Sequence, residues 1–150
     1  MNFRLSQIFC SVFSLIIFSS CVSGGQQNSV CFKGQCVDVE VVSTSEGRMR
    51  GLQFRPSMDT NSGMLFIFDE SAAHAFWMKD TLIPLDMIWM DYTRRVVHIE
   101  ENVQPCRQDP CASYAPAADA LYMLEVNAGY VQAHDIHVDH QASFNVKLNK

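Results

Sequence analysis

Gly63-Met64-Leu65-Phe66-Ile67-Phe68 is followed, after a short link, by Phe76-Trp77-Met78-Lys79-Asp80-Thr81 and then by Leu82-Ile83-Pro84-Leu85-Asp86-Met87-Ile88-Trp89-Met90-Asp91. These are three apolar runs of strand length, separated by polar or proline-containing breaks. Each is short and rich in aromatic and branched side chains, which marks buried strands rather than helices. Lys79, Asp80 and Asp86 interrupt the runs beside large apolar neighbours. A charge placed there must reach water, find a partner, or bear a heavy desolvation cost.

The flanking sequence extends the same pattern. Ser29–Phe32 and Cys36–Val42 read as strands; in the second, Val37, Val39 and Val41 alternate with Asp38 and Glu40, giving one wet face. Ser43-Thr-Ser-Glu46 has the spacing of a capping box and predicts a helix to Arg55, where Pro56 discourages continuation. Met49, Leu52 and Phe54 are expected to face inward from it. Further strands are expected at Met64–Phe68, His74–Met78, Leu85–Asp91, Val96–Glu100 and Ala120–Val126. A helical turn is expected at Tyr130–Asp135, and a last pair of strands at Ile136–Val138 and Ala142–Leu148. Residues 101–116 form a long proline-containing excursion of the kind that is functional or tied down. The expected fold is mainly β (α+β): a single strongly curved sheet or partly closed β-barrel with one or two short helices.

The 150 residues make one domain by length, and the 10 Phe and 8 Met supply a core. Acidic residues outnumber basic ones by 16 to 11, with no basic stripe, so a nucleic-acid partner is not expected. Residues 1–20 read as a secretory signal, with Arg4 before the apolar stretch Ile8–Phe18, which is too short to span a bilayer comfortably. Phe18-Ser-Ser-Cys21 resembles a lipoprotein cleavage box, although such boxes more often carry Leu where Phe18 stands. This reading makes Cys21 the lipidated residue and the membrane a partner through that anchor. Ordinary signal cleavage, which leaves a secreted protein, is the alternative. Val22 rather than Asp follows Cys21, which favours the outer membrane in a Gram-negative cell. Residues 21–29 are small and polar, a tether, and 30–150 form the domain.

Export places Cys31, Cys36, Cys106 and Cys111 in an oxidising compartment, where an even number reads as two disulfides. The preferred pairing is local, 31–36 and 106–111. A two-residue turn at Lys33-Gly34 would set Cys31 opposite Cys36 across a hairpin. The competing reading is a zinc site made of two Cys-x4-Cys pairs.

Gly-Leu-x-x-Arg at 51–55, Gly-Met-Leu-Phe at 63–66, Phe-Trp-Met-Lys-x-Thr-x-Ile-Pro-Leu-Asp at 76–86 and Leu-Glu-x-x-x-Gly at 124–129 together resemble the DUF192 family of small bacterial and archaeal proteins. The likeness covers about Cys36 to Phe144. It implies a fold and marks the matched positions as characteristic, but it implies no reaction. The chain departs from the family's usual pattern at Gln53 (usually Met), at Asp80 (usually Asn) and at Asp139-His140 (usually a Gly-Asp turn).

Arg55, Trp77, Lys79, Thr81, Asp86 and Glu125 are the candidate ligand-binding residues. Trp77 and Lys79 share a strand face, and a Lys–Asp pair beside an indole makes a polar patch in an apolar rim. The bland reading of the same residues is structural: ion pairs of Lys79 with Asp86, or Arg55 with Glu125, locking a bend. His134, His137 and His140 have ligand-like spacing for Zn²⁺ or Cu²⁺, but their setting reads as exposed, independent histidines. The methionines read as core filling rather than copper ligands. No nucleophile elbow or His-Glu-x-x-His motif is present, and no cofactor is expected. Asp59, Asp86 and Glu125 can supply two carboxylates for hydrolysis only if the fold sets two of them together. The expected function is a cell-envelope binding module for a glycan-like ligand or a protein segment. The alternatives are a hydrolase of envelope polysaccharide and a purely structural module.

Overall fold

The computed structural model describes residues 27–147. The expected signal, Cys21, most of the tether and Leu148 lie outside the described residues. The chain forms β1 (Ser29–Phe32), β2 (Gln35–Val42), α1 (Ser45–Arg50), β3 (Ser62–Ala72), β4 (Phe76–Trp77), β5 (Leu85–Met90), β6 (Val96–Val103), β7 (Ser113–Tyr114), β8 (Ala120–Asn127), α2 (Tyr130–Ala133) and β9 (Ala142–Asn145). Seven strands make one curled sheet in the order β6-β5-β8-β3-β2-β1-β9, while β4 and β7 pair separately. The ends of the sheet are drawn together. Val96 N donates to His140 O (2.9 Å), Asp139 N to Val96 O (2.8 Å) and Ala142 N to Arg94 O (2.9 Å), so the run into β9 meets the start of β6. This is the partly closed barrel read from the strand pattern. Among the described residues no helix is long and apolar enough to cross a membrane.

Every residue of β5 is buried, because both faces of this part of the sheet are covered. Ile88 and Met90 join Leu65, Leu124 and Val126 inside the curl. Leu85, Met87 and Trp89 join Leu52, Met64, Phe66, Met78 and Met123 on the outer face, under α1 and the β4 region. A strand buried on both sides has no alternation to display, which is why the sequence reads as an unbroken apolar run. Each fully buried side chain of this size contributes about 1.5–3 kcal/mol.

The β1–β2 hairpin turns at Lys33 and Gly34, both at positive φ (49° and 83°), as a primed two-residue turn requires. It sets Cys31 directly opposite Cys36 in register, and the two are disulfide-bonded, as are Cys106 and Cys111. The local pairing is therefore the one formed. β2 then crosses over through α1 to run parallel to β3, a connection not legible in the sequence pattern.

Several expectations need correcting. The helix is capped by Thr44, whose hydroxyl accepts from Gly47 N at 3.1 Å, not by Ser43. It ends at Gly51 (φ 47°) rather than reaching Arg55, and Met49 and Phe54 point outward, 69% and 65% exposed. The strand expected at His74–Met78 shrinks to Phe76–Trp77 and leaves the main sheet to pair with Ser113–Tyr114 of the long excursion. β3 runs on to Ala72, past the expected end at Phe68. Ile136–Val138 is a turn region rather than a strand. The sheet begins at Ser29, and Asn28 O already accepts from Val39 N (2.9 Å), so the end of the expected tether belongs to the domain.

Candidate functional site

Glu125 lies on β8 with its neighbours fixed by register: Met64 of β3 on one side and Met87 of β5 on the other. β3 and β8 approach closely here. A Cβ on Gly63 would sit 2.6 Å from the Glu125 carbonyl oxygen, so only glycine fits. The Glu125 side chain is 5% exposed, and its Oε2 has no hydrogen-bond partner among the described residues. Burial raises the carboxyl to a pKa of about 8, with the charge of Arg55 offsetting only part of the effect. A neutral carboxylic acid therefore sits at the floor of this face at pH 7.

Above Glu125 is a crevice of about 30 Å³, lined among others by Arg48, Arg50, Trp77, Lys79 and Thr81. That volume holds a few heavy atoms, not a whole residue. It adjoins a wider groove of about 370 Å³ between α1 and β4, and the two share Arg48, Met49, Phe76 and Trp77 in their walls. The groove walls are fixed by aromatic packing. Phe76 meets Phe66 edge-on at 5.0 Å and Trp89 at 6.0 Å, and Phe68 stacks on His74 at 3.6 Å. Arg48 ties α1 to β3 by donating to Ile67 O (2.9 Å) and by lying over the Phe68 ring at 5.3 Å. Trp77 is 53% exposed at the rim, an unusual position for so large an apolar side chain.

Four of the six candidate residues from the sequence meet here: Trp77, Lys79, Thr81 and Glu125. Lys79 Nζ lies 5.8 Å from the Trp77 ring centroid, so the two do share a face. The ion pairs expected from the sequence do not form. Lys79 pairs with Asp109 at 3.0 Å, not with Asp86, and that interaction holds its pKa up. The Cys106–Cys111 loop carries Asp109 to this place, helped by Cys106 N donating to Met78 O (3.2 Å). Arg55 pairs with Glu40 through two contacts, not with Glu125, and faces the neighbouring cavity on the other side of α1. Glu40 is held below, and Arg55 above, its ordinary pKa by this pair.

Asp86 is not part of the site. It points to the opposite face of the sheet, fully buried. Its Oδ1 accepts from Asn102 N (2.8 Å) and its Oδ2 from Val131 N at the start of α2 (2.9 Å). This carboxylate fastens β6 and α2 to β5. Because Asp86 and Glu125 lie on opposite faces, the fold does not assemble that pair for hydrolysis.

Asp80 has φ 58° and Asp139 has φ 73°, a region that Asn, Asp and Gly occupy most readily. That accounts for Asp80 and Asp139 among the departures from the family pattern: each keeps a residue tolerant of the left-handed conformation while altering the charge. Phe54, also at positive φ (61°) and 65% exposed, is held by its N–H donating to Asp80 O (2.8 Å).

The histidines do not converge. His134 contacts Gln35 and packs on Tyr130 (4.0 Å), His137 meets Asp135 (2.7 Å), and His140 Nδ1 accepts from His137 N (3.0 Å). Among the described residues no cluster of three metal-ligating side chains occurs. The sequence reading missed Arg48, Met49 and Arg50, the α1 side of the site. A free-standing polar stretch gives no signal that it will lie across a buried acid.

Comparison with known proteins finds the same fold elsewhere. A structure from Novosphingobium aromaticivorans, of a protein of unknown function, is similar at 28% identity and TM-score 0.71, covering 78% of this chain and 83% of that one. One from Sinorhizobium meliloti, given a proposed transcription-regulator role, is similar at 28% identity and TM-score 0.71, covering 79% of this chain and 92% of that one. No curated protein matches. The sequence profile of DUF192, described as Uncharacterized ACR, matches residues 28–144, and the chain belongs to that family.

Proposed function

We propose that the protein is a binding module of the cell envelope that takes a protein segment in the groove between α1 and β4. The observation that carries this reading is the continuity of an apolar groove, rimmed by exposed Trp77 and Met49, with a crevice that ends on an unpartnered buried acid. Sites of this kind combine an apolar wall with a few convergent polar groups. Arg48 and His74 along the groove are already engaged, Arg48 with Ile67 O and Asp69, and His74 with Glu70 O. A sugar would leave many hydroxyls there without new partners, which costs affinity. Lys79 also lies over the Trp77 ring. Both points favour an apolar side chain over a glycan. The secretory-type stretch at 8–18 and the cysteine at 21 support the placement in the envelope with a lipid anchor.

The reading is tested by titrating the protein with an array of short apolar peptides and with chito-oligosaccharides, wild type beside Trp77→Ala. Peptide binding that weakens at least about tenfold in the variant, with unchanged melting, supports it. Peptide binding indifferent to Trp77, or binding of the oligosaccharide alone, overturns it.

A further inference from the structure

The long excursion between β6 and β8 grips one segment at two points. Near its start, Cys106 N donates to Met78 O (3.2 Å), Cys106 bridges to Lys79 in parallel register, and Asp109 pairs with Lys79 (3.0 Å). Near its end, Ser113 and Tyr114 pair with Trp77 and Phe76, and among the described residues β4 has no other strand beside it. The Cys106–Cys111 disulfide joins the two grips. All four residues inside the bridge are exposed, and the bridge borders a surface cavity of about 100 Å³ shared with Lys79, Asp80, Arg107 and Asp109. Two cations stand there against two acids, so an incoming thiolate meets an open and roughly neutral approach. The Cys31–Cys36 bridge is placed differently. It lies inside a hairpin whose strands are paired on either side of it, Val30 with Val37 and Phe32 with Gln35, and β1 is also paired with β9. Cutting that bond leaves its two thiols opposed, and thiols held together re-form a disulfide readily. Among the described residues no strand pairing joins Cys106 to Cys111.

We propose that the Cys106–Cys111 bridge is a site of thiol–disulfide exchange with an external dithiol, and that its opening releases the Trp77 rim of the groove. A thiolate of the dithiol attacks one sulfur of the bridge, forming a mixed disulfide and releasing the other cysteine as a thiolate, which takes up a proton. The second thiol of the dithiol, after losing its proton, attacks the mixed disulfide and releases the remaining cysteine. The dithiol is oxidised to a disulfide, and the bridge is reduced to two thiols by two electrons and two protons. Opening unties the grips. β7 then holds β4 through two residue pairs alone, and Asp109 is no longer carried to Lys79. Phe76 stays seated on Phe66 and Trp89, whereas Trp77 is 53% exposed, with Lys79 over its ring at 5.8 Å. The rim therefore loosens while the groove floor persists. The exchange stands without the binding reading; the consequence for a bound segment rests on it.

The test equilibrates the protein with dithiothreitol and its oxidised form in varied ratio, maps the reduced cysteines by alkylation and mass spectrometry, and follows amide exchange by NMR. Cys106–Cys111 should open at a ratio of reduced to oxidised dithiothreitol at least about tenfold lower than Cys31–Cys36. On opening, the Phe76 and Trp77 amides should exchange about tenfold faster, with Leu85–Met90 unchanged and the domain still melting cooperatively. Cys31→Ser with Cys36→Ser should keep this response, and Cys106→Ser with Cys111→Ser should show the fast exchange without any dithiol. Opening of Cys31–Cys36 first, or of both bridges together as the domain unfolds, overturns the exchange site. Unchanged amide exchange in β4 once Cys106–Cys111 is open overturns the release of the rim. Apolar peptides that bind the oxidised protein should bind the opened one about tenfold more weakly, and equal binding also overturns the release. Failure of every such peptide to bind the oxidised protein overturns the binding reading, while the cysteine map and the amide exchange still decide the exchange site and the rim.

Discussion

Asp86 and Glu125 are buried carboxyl groups on neighbouring strands, one register step apart, on opposite faces of the same sheet. Asp86 receives two backbone N–H groups and fastens three elements together. Glu125 has an oxygen with no partner among the described residues and lies beneath a crevice. Equal burial thus accompanies opposite roles. What separates a brace from a site is whether the surrounding backbone answers the charge. An answered carboxylate contributes to stability, whereas an unanswered one detracts from it and is explained by what it can meet from outside.

The largest effect should come from breaking the answered member. Asp86→Ala leaves the N–H groups of Asn102 and Val131 without their acceptor and should destabilise the domain by roughly 3–5 kcal/mol, measured by urea unfolding. A loss below about 1 kcal/mol would mean that water or another group replaces the carboxylate readily.

Next in size is the pH dependence of the unanswered member. The Glu125 pKa is raised on folding, from 4.5 to about 8. Between those values the unfolded chain gives up a proton that the native state keeps. The contribution is therefore fully present below about pH 4.5 and is lost as pH rises through about 8, with a total on the order of a few kcal/mol. Glu125→Gln should flatten that part of the pH–stability curve and be the more stable protein at pH 8.5. Parallel curves for the two proteins would contradict this.

Cutting the Cys106–Cys111 bridge by double replacement with Ser should cost about 2 kcal/mol for so short a loop. It should also free Lys79 from Asp109, since that loop carries the acid. The smallest effect belongs to the pair itself. Asp109→Ala should leave the urea midpoint within error of the wild type, because both partners are substantially exposed.

The sequence made the strands legible wherever apolar periodicity and register agreed. Leu85–Met90 and Ala120–Val126 lie where the runs put them, and Lys33-Gly34 made its turn and its disulfide readable in advance. Local spacing did not foretell partners. Lys79 was matched to Asp86 at the start of the next strand, but the side-chain alternation that buries Met87 and Trp89 outward sends Asp86 inward. The true partner, Asp109, comes from a loop whose path is set by a disulfide and by Cys106 N on Met78 O. Likewise Met49 was expected in the core because its spacing from Leu52 fits a helix face, yet Gly51 ends the helix between them, and the two side chains part company, one outward and one inward. Trp77, Lys79 and Thr81 were found because they fall together in one short stretch, and Glu125 because it stands in the Leu-Glu-x-x-x-Gly motif. The α1 contribution was hidden because it depends on the parallel β2–β3 crossover, a property of topology rather than of any local pattern.

The central claim is that Glu125 is an uncharged acid at neutral pH. Its carboxyl carbon, labelled with ¹³C and followed by NMR through a pH titration of the free protein, reports this directly. A midpoint near 8 is the expected result, and a midpoint near the ordinary 4.5 would show that the acid is ionised and solvated.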